Sequence, residues 1–197
     1  MKRILCIGDS NTFGHDPRSR TGERYGEDQR WTCLLRREDR EILNWGRNGK
    51  CICRETEFAA LGERLRAAGA VDAVTVMLGT NDLLRGADAG EAAARMEKLL
   101  RFLAENVMDA RLILIAPPPM APGAWVPTRE LIRQSRRMTE AYRDLADALG
   151  LVFADAGEWG VEPAFDGVHF TAEGHAAFAR GLSALLDGSP SEKEAGT

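Results

Sequence analysis

Five short apolar runs, each ended by glycine, proline or a polar residue, constrain this chain more than anything else in it. They are Ile4–Ile7, Ile42–Trp45, Ala73–Leu78, Arg111–Ala116 and Leu151–Ala154. Short runs with almost no polar alternation are strands buried on both faces. Helical patterns lie between them. Glu55–Ala68 carries Phe58, Leu61 and Leu65 at helical spacing, and Ala92, Met96, Leu99, Leu100, Leu103 and Val107 recur at intervals of three and four. Leu131–Leu149 and Ala172–Leu186 are two further helical stretches. Gly69 and Gly150 stand where a left-handed residue commonly ends a helix. Strands that alternate with helices predict a parallel sheet covered on both sides. The expected fold is a flavodoxin-like three-layer α/β/α sandwich with a five-stranded, mostly parallel sheet.

The 197 residues suit one domain, expected over 1–187, with a polar tail over 188–197. A net charge of −4 argues against a nucleic-acid or anionic-membrane surface, since both favour basic patches. No apolar stretch reaches the roughly 20 residues that span a bilayer. Only Ile4–Ile7 follows Lys2 and Arg3 before polar residues begin, too short for a signal-peptide core. The expected location is cytoplasmic. Cys6, Cys33, Cys51 and Cys53 are read as free thiols, because Cys51-x-Cys53 has no second ligand pair nearby.

In doubly wound sheets the chemistry sits beyond the carboxyl ends of the strands. The residues there are Gly8-Asp9-Ser10-Asn11, Gly46-Arg47-Asn48-Gly49, Gly79-Thr80-Asn81-Asp82, Pro117-Pro118-Pro119 and, after the fifth strand, Asp166-Gly167-Val168-His169. Together they offer a hydroxyl, glycine amides, a carboxamide, a carboxylate and an imidazole, the parts of a serine hydrolase. Ser10 is the candidate nucleophile and needs a base to take its proton. His169 is the candidate base, and Asp166, three residues earlier, can orient its ring across a tight turn. The Ser10 N–H, the Gly49 N–H and the Asn81 carboxamide are the candidate oxyanion donors.

Each residue has a plainer reading. Ser10 can cap the first helix, and Asp82 can cap the helix after the third strand, leaving Asn81 to face the site. Asp9 reads as structural. His15 lies in a polar loop, expected exposed on the rim of the site, and His175 reads as structural. Neither nucleotide-binding glycine pattern is present, and no His/Asp cluster has metal-ligand spacing. No metal and no cofactor are expected.

Taken in order, the blocks resemble those of the SGNH, or GDSL-type, hydrolase superfamily. Gly8-Asp9-Ser10 resembles the first block, with Asn11 where Leu is usual. Asn44–Gly49 resembles the second, whose N-x-x-x-x-G spacing favours Gly49 over Gly46. Gly79-Thr80-Asn81-Asp82 matches the third, and Asp166-x-x-His169 the last. Arg30-Trp31-Thr32, Pro117–Met120 and Asp166–Thr171 look most like the arylesterase and acyltransferase branch. The resemblance implies a serine esterase acting on short acyl esters and assembling as a homo-oligomer. Related chemistries with the same residues are sugar deacetylation and thioester cleavage. A different class is a non-catalytic protein that binds an acylated ligand or a partner chain on this fold. The pocket walls are expected in the Phe13–Trp31 loop and the Pro117–Pro127 segment with Trp125, and Trp45 near the second block.

Overall fold

The computed structural model describes residues 1–19 and 21–188. The expected tail therefore lies outside the described residues, apart from Gly188. The elements are β1 (Lys2–Gly8), α1 (Ser10–Phe13), α2 (Trp31–Leu34), β2 (Arg40–Gly46), α3 (Phe58–Ala68), β3 (Ala73–Met77), α4 (Thr80–Leu84), α5 (Ala89–Asn106), β4 (Arg111–Ala116), α6 (Arg129–Leu149), β5 (Val152–Asp155) and α7 (Ala172–Asp187). All four strand pairings are parallel, in the order β2-β1-β3-β4-β5. The expected fold is present, and the sheet is wholly parallel.

Alternate residues of the apolar runs face opposite layers. Leu5, Val74, Val76, Leu112 and Leu114 pack with Leu99, Leu100 and Leu103 of α5 and Tyr142 of α6. Ile4, Cys6, Ile113 and Ile115 pack on the other side with Trp31, Phe178 and Leu182. This double burial explains why the strands read as unbroken apolar runs. Burial also pushes the Cys6 thiol up to about 12, so it serves as a small core hydrophobe.

The helix ends follow local chemistry. Asp88 caps α5 by accepting from Glu91 N–H, while Glu91 reaches back to the Asp88 N–H. Gly150 ends α6 in the left-handed conformation. Gly69 ends α3 with a positive φ of 73° but an extended ψ of −167°. A turn of 3-10 helix over Glu55–Glu57 leads into α3, splitting the single helix expected from the sequence.

The strand order reverses direction between β1 and β3. The crevice at that point, beyond the carboxyl ends of the strands, is where open α/β sheets place their ligands. The segments after β1 and β3 carry Ser10 and Asn81 to it.

Candidate active site

The chain turns sharply after β1. Asp9 caps α1 through a 3.0 Å bond from the Asn11 N–H, and Ser10 is the first residue of that short helix. Thr12 folds back over Gly8, where a Cβ would meet the Thr12 hydroxyl at 1.9 Å, so the turn needs glycine. Ser10 is 6% exposed and Asp9 2%. Burial pushes the Asp9 carboxyl up to about 6, against the opposing pull of the Asn11 amide and the His169 ring.

The Asp166–His169 turn closes on itself. Asp166 Oδ1 accepts from the Val168 and His169 backbone N–H groups, each at 2.9 Å. Gly167 has a positive φ of 80°, and a Cβ there would lie 2.1 Å from the Ala121 carbonyl oxygen. Asp166 Oδ2 lies 2.6 Å from His169 Nδ1, and His169 Nε2 lies 2.9 Å from Ser10 Oγ. A carboxylate only accepts, so the Asp166 contact puts the proton on Nδ1 and leaves Nε2 free to accept from Ser10. Burial alone would raise the Asp166 carboxyl, but hydrogen bonds from the His169 ring and the two amides outweigh it and hold it below the usual carboxylate range. Three residues chosen from strand ends thus form one continuous Ser–His–Asp chain.

A residue read only as a variation in the first block, Asn11, joins the two halves of this chain. It is 3% exposed. Its Nδ2 donates to the Val168 carbonyl at 3.1 Å, and its Oδ1 accepts from the Phe170 N–H at 3.0 Å. One carboxamide therefore grips the backbone on both sides of His169. The Asn11 carbonyl in turn accepts from Trp31 Nε1 at 2.8 Å.

Both predicted walls reach the histidine. The ring centroid of His15 lies 4.6 Å from that of His169, and the Trp125 ring lies 4.9 Å from it, both edge-on. Trp125 is 52% exposed. His15 is half-buried rather than exposed. Burial and the neighbouring His169 ring lower its basicity. Trp45 instead turns toward α3, where the Arg64 guanidinium stacks 3.9 Å over its ring.

The other block residues meet near Asn81. Its Nδ2 donates to the Lys50 carbonyl at 3.1 Å and approaches Asp9 Oδ2 at 3.4 Å. It thereby links the first and third blocks to the residue just past the second. Gly46 N–H is occupied, donating to Asn44 Oδ1 at 2.8 Å, and a Cβ on Gly46 would collide with the Phe13 backbone at 2.1 Å. Gly49 is exposed, with a positive φ of 67°. The capping role expected of Asp82 is corrected. Gly79 precedes α4, and Asp82 lies inside the helix, buried, where it accepts from the Ile52 N–H at 3.0 Å and pairs with Arg95 at 2.9 Å. Ile52 enters the segment leaving the second block, so this carboxylate is needed as a tie rather than a cap.

His175 is fully buried between Tyr25 and Phe170. Neither ring nitrogen has a hydrogen-bond partner among the described residues. Burial pushes its pKa down to about 4. Among the described residues no three His, Cys, Asp or Glu side chains group as metal ligands would, and no helix is long and apolar enough to cross a membrane.

Comparison with known proteins gives the family of the chain. The profile of the GDSL-like Lipase/Acylhydrolase family matches residues 6–177. The chain belongs to that family. It is accordingly an ester-cleaving hydrolase. A putative arylesterase from Agrobacterium tumefaciens str. C58 is similar in structure, with a TM-score of 0.83, 31% identity, and coverage of 96% of this chain and 100% of that one. A carbohydrate acetylesterase family member from Sinorhizobium meliloti superposes with a TM-score of 0.83 at 27% identity, covering 96% and 99%. The native M. smegmatis aryl esterase gives 0.80 at 26%, covering 96% and 100%. No curated protein matches the chain significantly.

Proposed function

We propose that this family member is a metal-independent serine esterase that cleaves small acetyl or short-chain acyl esters through an acyl-enzyme. The observation that carries this reading is the unbroken run from Asp166 Oδ2 through the His169 ring to Ser10 Oγ, at 2.6 and 2.9 Å. Ser10 Oγ attacks the ester carbonyl carbon as its proton passes to His169 Nε2. Asp166 stabilises the resulting imidazolium. His169 then gives that proton to the departing alkoxide, leaving the acyl group on Ser10. Water, or a second alcohol, attacks the acyl carbon, and its proton returns through His169 to Ser10.

The oxyanion formed in each half-reaction is held by the Ser10 N–H, the Gly49 N–H and Asn81 Nδ2. Gly49 is preferred to Gly46 because the Gly46 amide already serves Asn44. Of the two Asn81 contacts, the 3.4 Å approach to Asp9 is the weaker, and this is the hydrogen that turns to the oxyanion. Losing one such donor costs about 3–4 kcal/mol of transition-state stabilisation.

The neighbours' names, arylesterase and carbohydrate acetylesterase, favour short acyl groups and leave phenols and sugars as the competing alcohol classes. Trp125 beside His169 favours a planar or ring-shaped alcohol. The reading includes a homo-oligomer. It is supported by exposed Phe165 and Trp125, 66% and 52% exposed, on segments joined by the bond from Ala124 N–H to the Phe165 carbonyl. Sedimentation of the purified chain tests that part. The chemical step is tested by rapid acid quench during turnover of p-nitrophenyl acetate, followed by peptide mass analysis. One acetyl group on the peptide bearing Ser10 is expected, and acetylation elsewhere with Ser10 unmodified would refute the mechanism.

A further inference from the structure

The loop that leaves β2 carries Gly49, which lines a cavity of about 640 Å³ together with Arg47, Lys50, Arg54, Arg85 and Arg95. Three carboxylates also line this cavity, and each has a task. Glu57 pairs with Lys50 at 2.7 Å, Asp82 pairs with Arg95 at 2.9 Å, and Glu91 completes the cap of α5 by accepting from the Asp88 N–H. Arg47, Arg54 and Arg85 have no ion-pair partner among the described residues. Arg85 Nη2 donates to the Gly49 carbonyl at 3.0 Å, which fixes that guanidinium at the rim of the loop. The remaining donors of all three arginines are exposed to the cavity or to solvent.

A protein of net charge −4 thus gathers a cationic surplus at one corner, five basic side chains against three carboxylates. That corner adjoins the site. Gly49 and Lys50 form part of the cavity wall, and Asn81 holds the Lys50 carbonyl from the catalytic side. Planar guanidinium groups with free donors match the geometry of carboxylate and phosphate oxygens, and a concave cationic surface draws anions toward it.

We propose that this cavity binds an oxyanion, a carboxylate or a phosphate, carried on the end of the ester substrate remote from the scissile bond. The proposal rests on the esterase reading above, and it narrows the substrate to acyl esters with an anionic arm.

The test compares 4-acetoxybenzoate with its neutral near-isostere 4-acetoxybenzamide. The quantity measured is the ratio of their kcat/KM values, in wild type and in the double variant Arg47→Gln/Arg54→Gln. The comparison between proteins cancels the intrinsic reactivities of the two esters. The ratio is expected to fall about tenfold in the variant, equivalent to about 1.4 kcal/mol, and to shrink in wild type as salt is raised. An unchanged ratio in the variant would overturn the proposal. Inorganic phosphate separates a substrate subsite from a site for a free anion. Raised KM for the benzoate alone supports the proposal, whereas equal effects on both esters would make the cavity an effector site and contradict it. Loss of Ser10-dependent turnover for both esters in wild type would instead remove the esterase reading, a result distinct from an unchanged ratio.

Discussion

Asn11 sits next to Ser10 and holds the backbone on either side of His169, so it sets the Ser10–His169 distance from the serine side. Asn11→Leu keeps the branched side chain of four heavy atoms, in a bulkier form, and removes both bonds. Its kcat for p-nitrophenyl acetate is expected to fall about 10- to 100-fold, since misplacing reacting groups by about 1 Å costs that much. KM should hold within a factor of about two, and thermal unfolding should show a folded protein. The sequence displayed Asn11 but not its role, because its partners Val168 and Phe170 lie 157 and 159 positions away. Asp166 and His169, by contrast, were legible because a carboxylate three residues before a histidine can fold back locally. His15 against His169 was hidden for the same reason as Asn11, since nothing local in a polar loop says what it will touch. His175 makes a prediction in pH. Its folded pKa of about 4 lies below the ordinary 6.5, so the unfolded chain binds the extra proton between those values. Stability from this group is complete above about pH 6.5 and is lost as pH falls toward 4, by about 3 kcal/mol in all. His175→Phe, which keeps an aromatic ring between Tyr25 and Phe170 and removes the titrating group, is expected to abolish this loss. Urea unfolding of both proteins at pH 7 and pH 5 measures it, and the difference between them cancels the opposite trend from Asp9.

At the level of elements, the site depends on two segments held edge to edge. Residues 121–125 donate three backbone bonds to 165–167: Ala121 N–H to Gly167 O at 3.0 Å, Ala124 to Phe165 at 3.2 Å and Trp125 to Asp166 at 3.0 Å. Gly123 permits this approach, because a Cβ on it would lie 2.3 Å from the Asp166 carbonyl carbon and the Gly167 nitrogen. Gly123→Ala is expected to push the Asp166 turn away. The result should be a destabilisation of about 1–3 kcal/mol by urea unfolding, with a loss in kcat larger than that of any surface substitution. The strands and long helices were readable because double burial and amphipathic spacing leave period-dependent patterns. The Glu55–Glu57 turn and the placement of Asp82 inside α4 were not, since both depend on contacts with Lys50, Ile52 and Arg95 from other elements.

At the scale of the whole molecule, a parallel sheet gathers the ends of its strands along one edge, and the blocks that follow β1, β2, β3 and β5 meet there. The fold class followed from the pattern of runs, and the family from the order of the blocks. In the proposed function, substrate choice depends on the surfaces around that edge: the His15 and Trp125 rings beside His169, and the arginine-lined cavity that Gly49 helps to wall. Their composition was visible in the sequence, but their position was not, because loop side chains take their neighbours from the tertiary structure. The measurement that tests the central claim most directly is hydrolysis of p-nitrophenyl acetate by wild type and by Ser10→Ala, with no added metal and with EDTA present. The account predicts turnover by wild type that EDTA does not reduce and a loss of about 10⁴-fold or more in the variant. Wild-type turnover that Ser10→Ala matches, or that EDTA abolishes, would contradict it.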